Sequence, residues 1–178
     1  MLTSILILMV ASFLLGYVCR GGCRASARRD FVTDLPTRAA FQDYLQQQLD
    51  KPDVTTLILI DLNEFKVIND RHGHLAGDQV LALVAGEIKE RVEPLGTLFR
   101  WGGDEFAIIV ESQSAGQAEV VQPLRIFFDE AVFPVGQETM ALSCSIGWAC
   151  SQADDTVESL FQRADEALYR DKAPPLAD

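Results

Sequence analysis

The chain is poor in several things that would each signal a function. Four cysteines in 178 residues are too few to staple a fold with disulfides. There are only two histidines, His72 and His74. They flank one glycine, with no cysteine nearby and no third ligand, which argues against zinc. Basic residues are scarce: 15 Lys and Arg stand against 26 Asp and Glu, a formal net charge of −11. A protein that grips nucleic-acid polymers through a basic surface is therefore excluded. Internal repeats and low-complexity linkers are absent too. What remains is 48% hydrophobic and 23% charged, a composition that folds around a core and suits one domain.

Charge is unevenly spread. Residues 1–29 contain no acid and four arginines, Arg20, Arg24, Arg28 and Arg29. The remainder carries 11 basic and 26 acidic residues, a net of −15. Residues 2–18 hold no charge at all. At a rise of ~1.5 Å per residue they span roughly 25 Å as a helix, near the lower limit for crossing a bilayer. No cation precedes this run, unlike a cleaved signal peptide, and the lack of any polar face argues against a helix packed in the domain's core. We expect a transmembrane anchor at 1–19 and a basic juxtamembrane linker at 20–29. The arginines then place the N-terminus outside and the rest in the cytoplasm, at the inner membrane. Cys19 and Cys23 fall at that boundary as bystander thiols.

Beyond the linker the pattern is mixed. Residues 33–37 read as a helix start, with Phe41, Tyr44 and Leu45 spaced for one apolar face. Residues 55–62 read as a buried strand ending in an acid. Residues 77–91 read as a helix with Val80, Leu83, Val84 and Ile88 on one side. Strands at 97–101 and 105–110 flank a Gly-Gly-Asp turn, a hairpin signal. Helices are expected at 118–131 and 157–172, and one strand at 140–150. Cys144 and Cys150 sit about 20 Å apart along that strand and cannot bridge. The fold class is α+β: a sheet containing antiparallel strands, covered by helices.

Two acidic features lie at strand ends. Asp61 closes one strand, and Asp104 and Glu105 lie in the glycine hairpin. Carboxylates on neighbouring strand ends converge on a cation, and oxygen-only ligands suit Mg²⁺ with a phosphate. Gly102 and Gly103 leave the backbone open to a ligand. Lys66 and Lys172 are candidate phosphate partners. A solvated cap at Asp61 and a plain turn at Gly102 remain open readings of the same residues. A calcium loop starting at Asp61 and Asn63 fails, because Phe65 occupies the next ligand position.

The run Arg100-Trp101-Gly102-Gly103-Asp104-Glu105-Phe106 resembles the signature of the GGDEF domain, the bacterial diguanylate cyclase. Four further blocks agree in order: DFVTDLPTR at 30–38, DLNEFKVINDRHGHLAGD at 61–78, Ser145-Ile146-Gly147, and Ala164-Asp165 with Ala167-Leu168-Tyr169 and Lys172. The resemblance covers about residues 30–172, so the domain is expected at 30–173 with 174–178 as a tail. It implies a nucleotidyl-cyclase-like palm fold and condensation of two GTP into cyclic di-GMP plus two pyrophosphates, in a homodimer. It assigns Mg²⁺, or Mn²⁺ in its place, to Asp61, the Leu62 carbonyl, Asp104 and Glu105. Asp104 would also accept the hydroxyl proton, and Lys66 would stabilise transition-state charge. Asn69, His74 and Asp78 would line the guanine. Phe65, Lys66 and Lys172 would meet the phosphates, with Gly102 and Gly103 making room.

Several positions depart from the family pattern. Asp34 stands where Gly is usual, Thr37 where Asn is usual, and Asn63 where a second Asp is usual; the asparagine removes one charge near the metal but still offers an oxygen there. Ala173-Pro174-Pro175 replaces a Gly-Arg-Asn stretch that brings a phosphate-binding Arg. Glu93 and Gly96 occupy the positions of the Arg-x-x-Asp product-inhibition site, so no inhibition through it is expected. Two other functions compete: a non-catalytic module that binds GTP or cyclic di-GMP, and a membrane-tethered interaction protein.

Overall fold

The run TLILIDL forms strand β1 (Thr56–Leu62), in which every position except Asp61 is buried. A strand buried on both faces needs cover on both. β1 is central, with β3 (Glu105–Val110) on one side and β6 (Cys144–Cys150) on the other, both antiparallel. β2 (Gly96–Arg100) pairs outside β3, giving the order β2-β3-β1-β6. The computed structural model describes residues 28–93, 95–111 and 117–172.

Strand parity sorts the core into two layers. Ile58, Ile60 and Leu62 join Phe106, Ile108 and Ile146 under helices α2 (Phe65–His72), α3 (His74–Val92) and α4 (Gln117–Glu130). Leu57 and Leu59 join Ala107 and Ile109 under α1 (Arg38–Leu49) and α5 (Val157–Lys172). Each such aliphatic side chain, taken fully out of water, contributes ~1.5–3 kcal/mol. The expected α+β class is what the chain adopts.

Three local expectations change. The strand expected at 140–150 divides in two. β5 (Glu138–Ala141) pairs with β4 (Val132–Val135) in a separate hairpin, and β6 begins at Cys144. The chain crosses between sheets because Leu142 turns into the core and Ser143 is held by Asn63, whose N–H donates to the Ser143 carbonyl at 2.9 Å. The helix expected from 77 starts earlier, at His74, and a separate α2 precedes it. Gly73 separates the two at φ +85°, a conformation that glycine adopts without strain. Finally, α1 starts at Arg38, because residues 30–35 form a turn in which Asp34 takes φ +53°. That left-handed backbone is the physical reason a glycine suits position 34.

Cys144 and Cys150 are free and lie at opposite ends of β6. Burial pushes the Cys144 thiol up to about 12, so it is inert at neutral pH. No helix among the described residues is long and apolar enough to cross a membrane. The expected anchor, most of the linker, Cys19, Cys23 and the tail lie outside the described residues.

The Ser145-Ile146-Gly147 block has a packing cause. α5 crosses β6 so closely that a side chain at Gly147 would run into the backbone of Ala164 and Leu168. Gly147→Ala is therefore expected to cost ~1–3 kcal/mol through overpacking. Denaturant unfolding measures this, and an unchanged midpoint would reject the close crossing.

Candidate active site

The site begins with a register. Asp61 stands directly opposite Glu105 across the β1–β3 ladder, and opposite Ser145 across β1–β6. The glycine turn closes on itself: the N–H groups of Trp101 and Gly102 both donate to the Glu105 carbonyl, at 2.9 and 3.2 Å. Leu62 N–H donates to the Asp104 carbonyl at 3.2 Å, tying the turn to the end of β1.

Arg100 braces the same turn. Its Nε donates to the Gly102 carbonyl at 3.0 Å, and Nη2 donates to the Gly103 carbonyl at 2.7 Å. Its Nη1 pairs with Asp30 Oδ1 at 2.6 Å. That Asp30 oxygen also accepts from the N–H groups of Val32 and Thr33 and from the Thr33 hydroxyl. Burial opposes the Asp30 charge, but the hydrogen bonds from Arg100 and Thr33 outweigh it and hold the carboxyl below its usual range.

Beside the turn lies a cavity of about 250 Å³. Phe65, Lys66 and Asn69 reach it from α2, His74 and Asp78 from α3, and Gly103 and Asp104 from the turn. The structure thus gathers seven residues predicted from sequence. Arg100 and Leu81 also line it and were not predicted. The arginine was visible in the RWGGDEF string, yet its three partners are 2, 3 and 70 residues away. Gly77 was missed as well. A side chain there would collide with Asn69 Oδ1, so this glycine lets α2 and α3 close around the asparagine.

The remaining predicted residues lie elsewhere. Asp61 sits on the α5 side of the sheet, where Lys172 Nζ approaches its Oδ2 at 2.8 Å. Glu105 belongs to that corner: burial raises its pKa, repulsion from Asp61 and Asp104 adds to the rise, and Lys172 opposes it. Gly102 makes room for the Glu105 carboxylate, whereas the space at Gly103 is open. Asn63 does not offer its oxygen to the acidic corner as expected. Its Oδ1 accepts from the Ser145 hydroxyl at 2.9 Å, and its Nδ2 donates to Ser143 Oγ at 3.1 Å.

The donor set at this corner is all oxygen, and burial together with the neighbouring Asp61 and Asp104 charges makes the ionised form of Glu105 more costly. Among the described residues no three His, Cys, Asp or Glu side chains cluster tightly enough to cage a metal. An all-oxygen donor set is the kind that Mg²⁺ takes, with one or two carboxylates, several waters and phosphate oxygens.

The family model described as "Diguanylate cyclase, GGDEF domain" matches residues 27–175. The chain belongs to this GGDEF family. It is 36% identical over 156 residues to the diguanylate cyclase DgcP of Pseudomonas aeruginosa, covering 84% of this chain and 23% of that protein. It is 33% identical over 154 residues to the cyclic di-GMP phosphodiesterase PdeR of Escherichia coli, again 84% of this chain and 23% of that one. The chain therefore spans less than a quarter of these two GGDEF proteins. Its fold resembles the coiled coil and GGDEF domain of DgcB from Caulobacter crescentus, solved in complex with c-di-GMP. The TM-score is 0.81 at 27% identity, over 96% of this chain and 94% of that one.

The brace generates a test. Arg100→Lys keeps the charge but loses the planar fork, and is expected to cost ~1–3 kcal/mol, as is Asp30→Asn. In a double-mutant cycle the two should be clearly less than additive. Additive effects would show that the pair does not act as one unit.

Proposed function

We propose that this GGDEF domain is a Mg²⁺-dependent diguanylate cyclase. It condenses two GTP into cyclic di-GMP and two pyrophosphates where two copies of the chain face each other. Residues 1–19 anchor it in the inner membrane with the domain in the cytoplasm. The observation that carries this reading is the single cavity that brings Lys66, Asn69 and Asp78 together beside Asp104.

The family resemblance implies each role, and the chemistry of the side chain supports it. Asn69 and Asp78 present amide and carboxylate groups that match the donor and acceptor edge of guanine, with His74 beside them. Lys66 places a point charge where phosphate charge builds up in the transition state. Asp104, on the cavity side of the turn, takes the proton of the attacking 3′-hydroxyl. That oxygen bonds to the α-phosphorus of the facing GTP, and the bond to pyrophosphate breaks. Holding both substrates in line removes the entropy cost of their meeting. Asp61, Asp104, Glu105 and the Leu62 carbonyl would hold Mg²⁺, which when bound spreads the phosphate charge. Lys172 approaches from the Asp61 side.

The expected outcome is cyclic di-GMP formation by the full chain in detergent with GTP and Mg²⁺. Asp104→Ala should cut the rate at least ~100-fold, the usual scale for losing an acid–base group, with the melting point retained. Absence of product at high protein concentration sinks the proposal. GTP binding without turnover would instead favour a non-catalytic module, a reading motivated by Ala173-Pro174-Pro175 after Lys172.

Regulation by product is expected to be weak. Glu93 and Gly96 line a second cavity of about 270 Å³ with Arg29, Lys89 and Thr97. Glu93 puts an acid where the family's product site has an arginine, so an anionic dinucleotide loses its expected partner there despite Arg29 and Lys89. Cyclic di-GMP should leave the rate unchanged in both the native chain and Glu93→Ala. Strong inhibition that Glu93→Ala abolishes would contradict this.

A further inference from the structure

Lys172 is the last described residue of α5, and the final turn of a helix frays unless something fastens it. Its neighbour Asp171 is an odd choice for that turn. An acid there opposes the helix dipole, and aspartate is a poor helix former. The structure shows what offsets these costs. Asp171 Oδ2 accepts the N–H of Ile146 at 2.8 Å, and its Oδ1 pairs with Arg125 Nη2 at 2.7 Å. The same Arg125 nitrogen lies 3.4 Å from the Ile146 carbonyl.

Among the described residues β6 is an edge strand of the sheet, so half of its backbone groups point away from β1. Ile146 is one of these residues. The Asp171–Arg125 pair covers its N–H and C=O much as another strand would. Ile146 stands opposite Ile60, and the next rung pairs Ser145 with Asp61. Consecutive residues of α5 thus contact consecutive rungs. Asp171 is fixed at one, and Lys172 Nζ meets the Asp61 carboxylate at the other, 2.8 Å away.

We propose that Asp171, clamped by Arg125 from α4, is a positioning residue that sets Lys172 against Asp61 at the site. In this chain Ala173-Pro174-Pro175 stands directly after Lys172, where the family pattern brings a phosphate-binding Arg. The pair secures the cation that α5 places against Asp61. The inference rests on the proposed cyclase reading for its effect on turnover, while the positioning itself is measured without nucleotide.

The test compares the full chain with Asp171→Ala, Asp171→Asn and Arg125→Lys. In Asp171→Ala, amide hydrogen exchange at Ile146 and acylation of Lys172 by an amine-reactive ester should each rise about 10-fold or more, the scale for losing one charge-assisted hydrogen bond. Lys51 and Lys89 should keep their labelling rates. Asp171→Asn retains an acceptor for Ile146 and should recover most of the protection. Arg125→Lys should lie between. In turnover, Asp171→Ala should raise the GTP KM about five-fold and leave kcat within about two-fold, and Asp171→Asn should restore KM. Unchanged exchange and labelling overturns the positioning, whatever the turnover. Changed labelling with unchanged KM in an active enzyme overturns the link to the site. If no variant or native chain turns over, the cyclase reading fails while exchange and labelling still decide the positioning. If Asp171→Ala and Asp171→Asn both lose the fold, the pair is general structural support and the assignment is wrong.

Discussion

Everything at the site depends on the antiparallel register between β1 and β3. Slipping that ladder by one residue would send each side chain of β1 to the opposite face. The register is held because both faces are buried, with isoleucines and Leu62 on one side and leucines on the other. Fixing those positions also places Asp61 on the same rung as Glu105. Burial raises the pKa of Glu105, and the Asp61 carboxylate brought beside it by hydrophobic packing adds to the rise. Core formation thus creates an acidic corner that a cation relieves.

The turn between β2 and β3 carries that constraint across to the cavity. Arg100 turns the carbonyls of Gly102 and Gly103 inward and ties them to Asp30, far away in sequence. Asp104 is thereby held on the cavity side with Lys66 and Asn69, while Glu105 points to α5. Adjacent acids in the chain are separated by the pleat into different surroundings. One faces open space beside a lysine and an amide. The other is partly buried near Lys172.

Much of this was legible in the residues. The strand TLILIDL, the glycine hairpin and the last helix announced themselves by hydrophobic period and turn chemistry. The cavity lining followed from the 61–78 block, because Phe65, Lys66, Asn69, His74 and Asp78 lie within one helical pair. Other features were hidden. α2 is only two turns long, and two buried residues, Phe65 and Ile68, are too few to establish a period. The break at 142–143 looked like continuous strand because Leu142 is as apolar as its neighbours. Asn63 looked like a ligand, since nothing local reveals that Ser143 and Ser145 claim its amide from about 80 residues away.

By itself, the sequence determined which residues are chemically able to act, and the periods that make the strands and helices. Those properties are local: carboxylates, amides and ammonium groups carry their chemistry anywhere, and alternation dictates which side of a strand is apolar. Tertiary structure alone decided how the functional groups divide, with Asp104 at the cavity and Asp61 at Lys172. It also decided that Arg100 and Asp171 brace the site. The reason is that their partners, Asp30 and Ile146, become neighbours only when strand pairing and helix packing bring distant parts of the chain within hydrogen-bond reach.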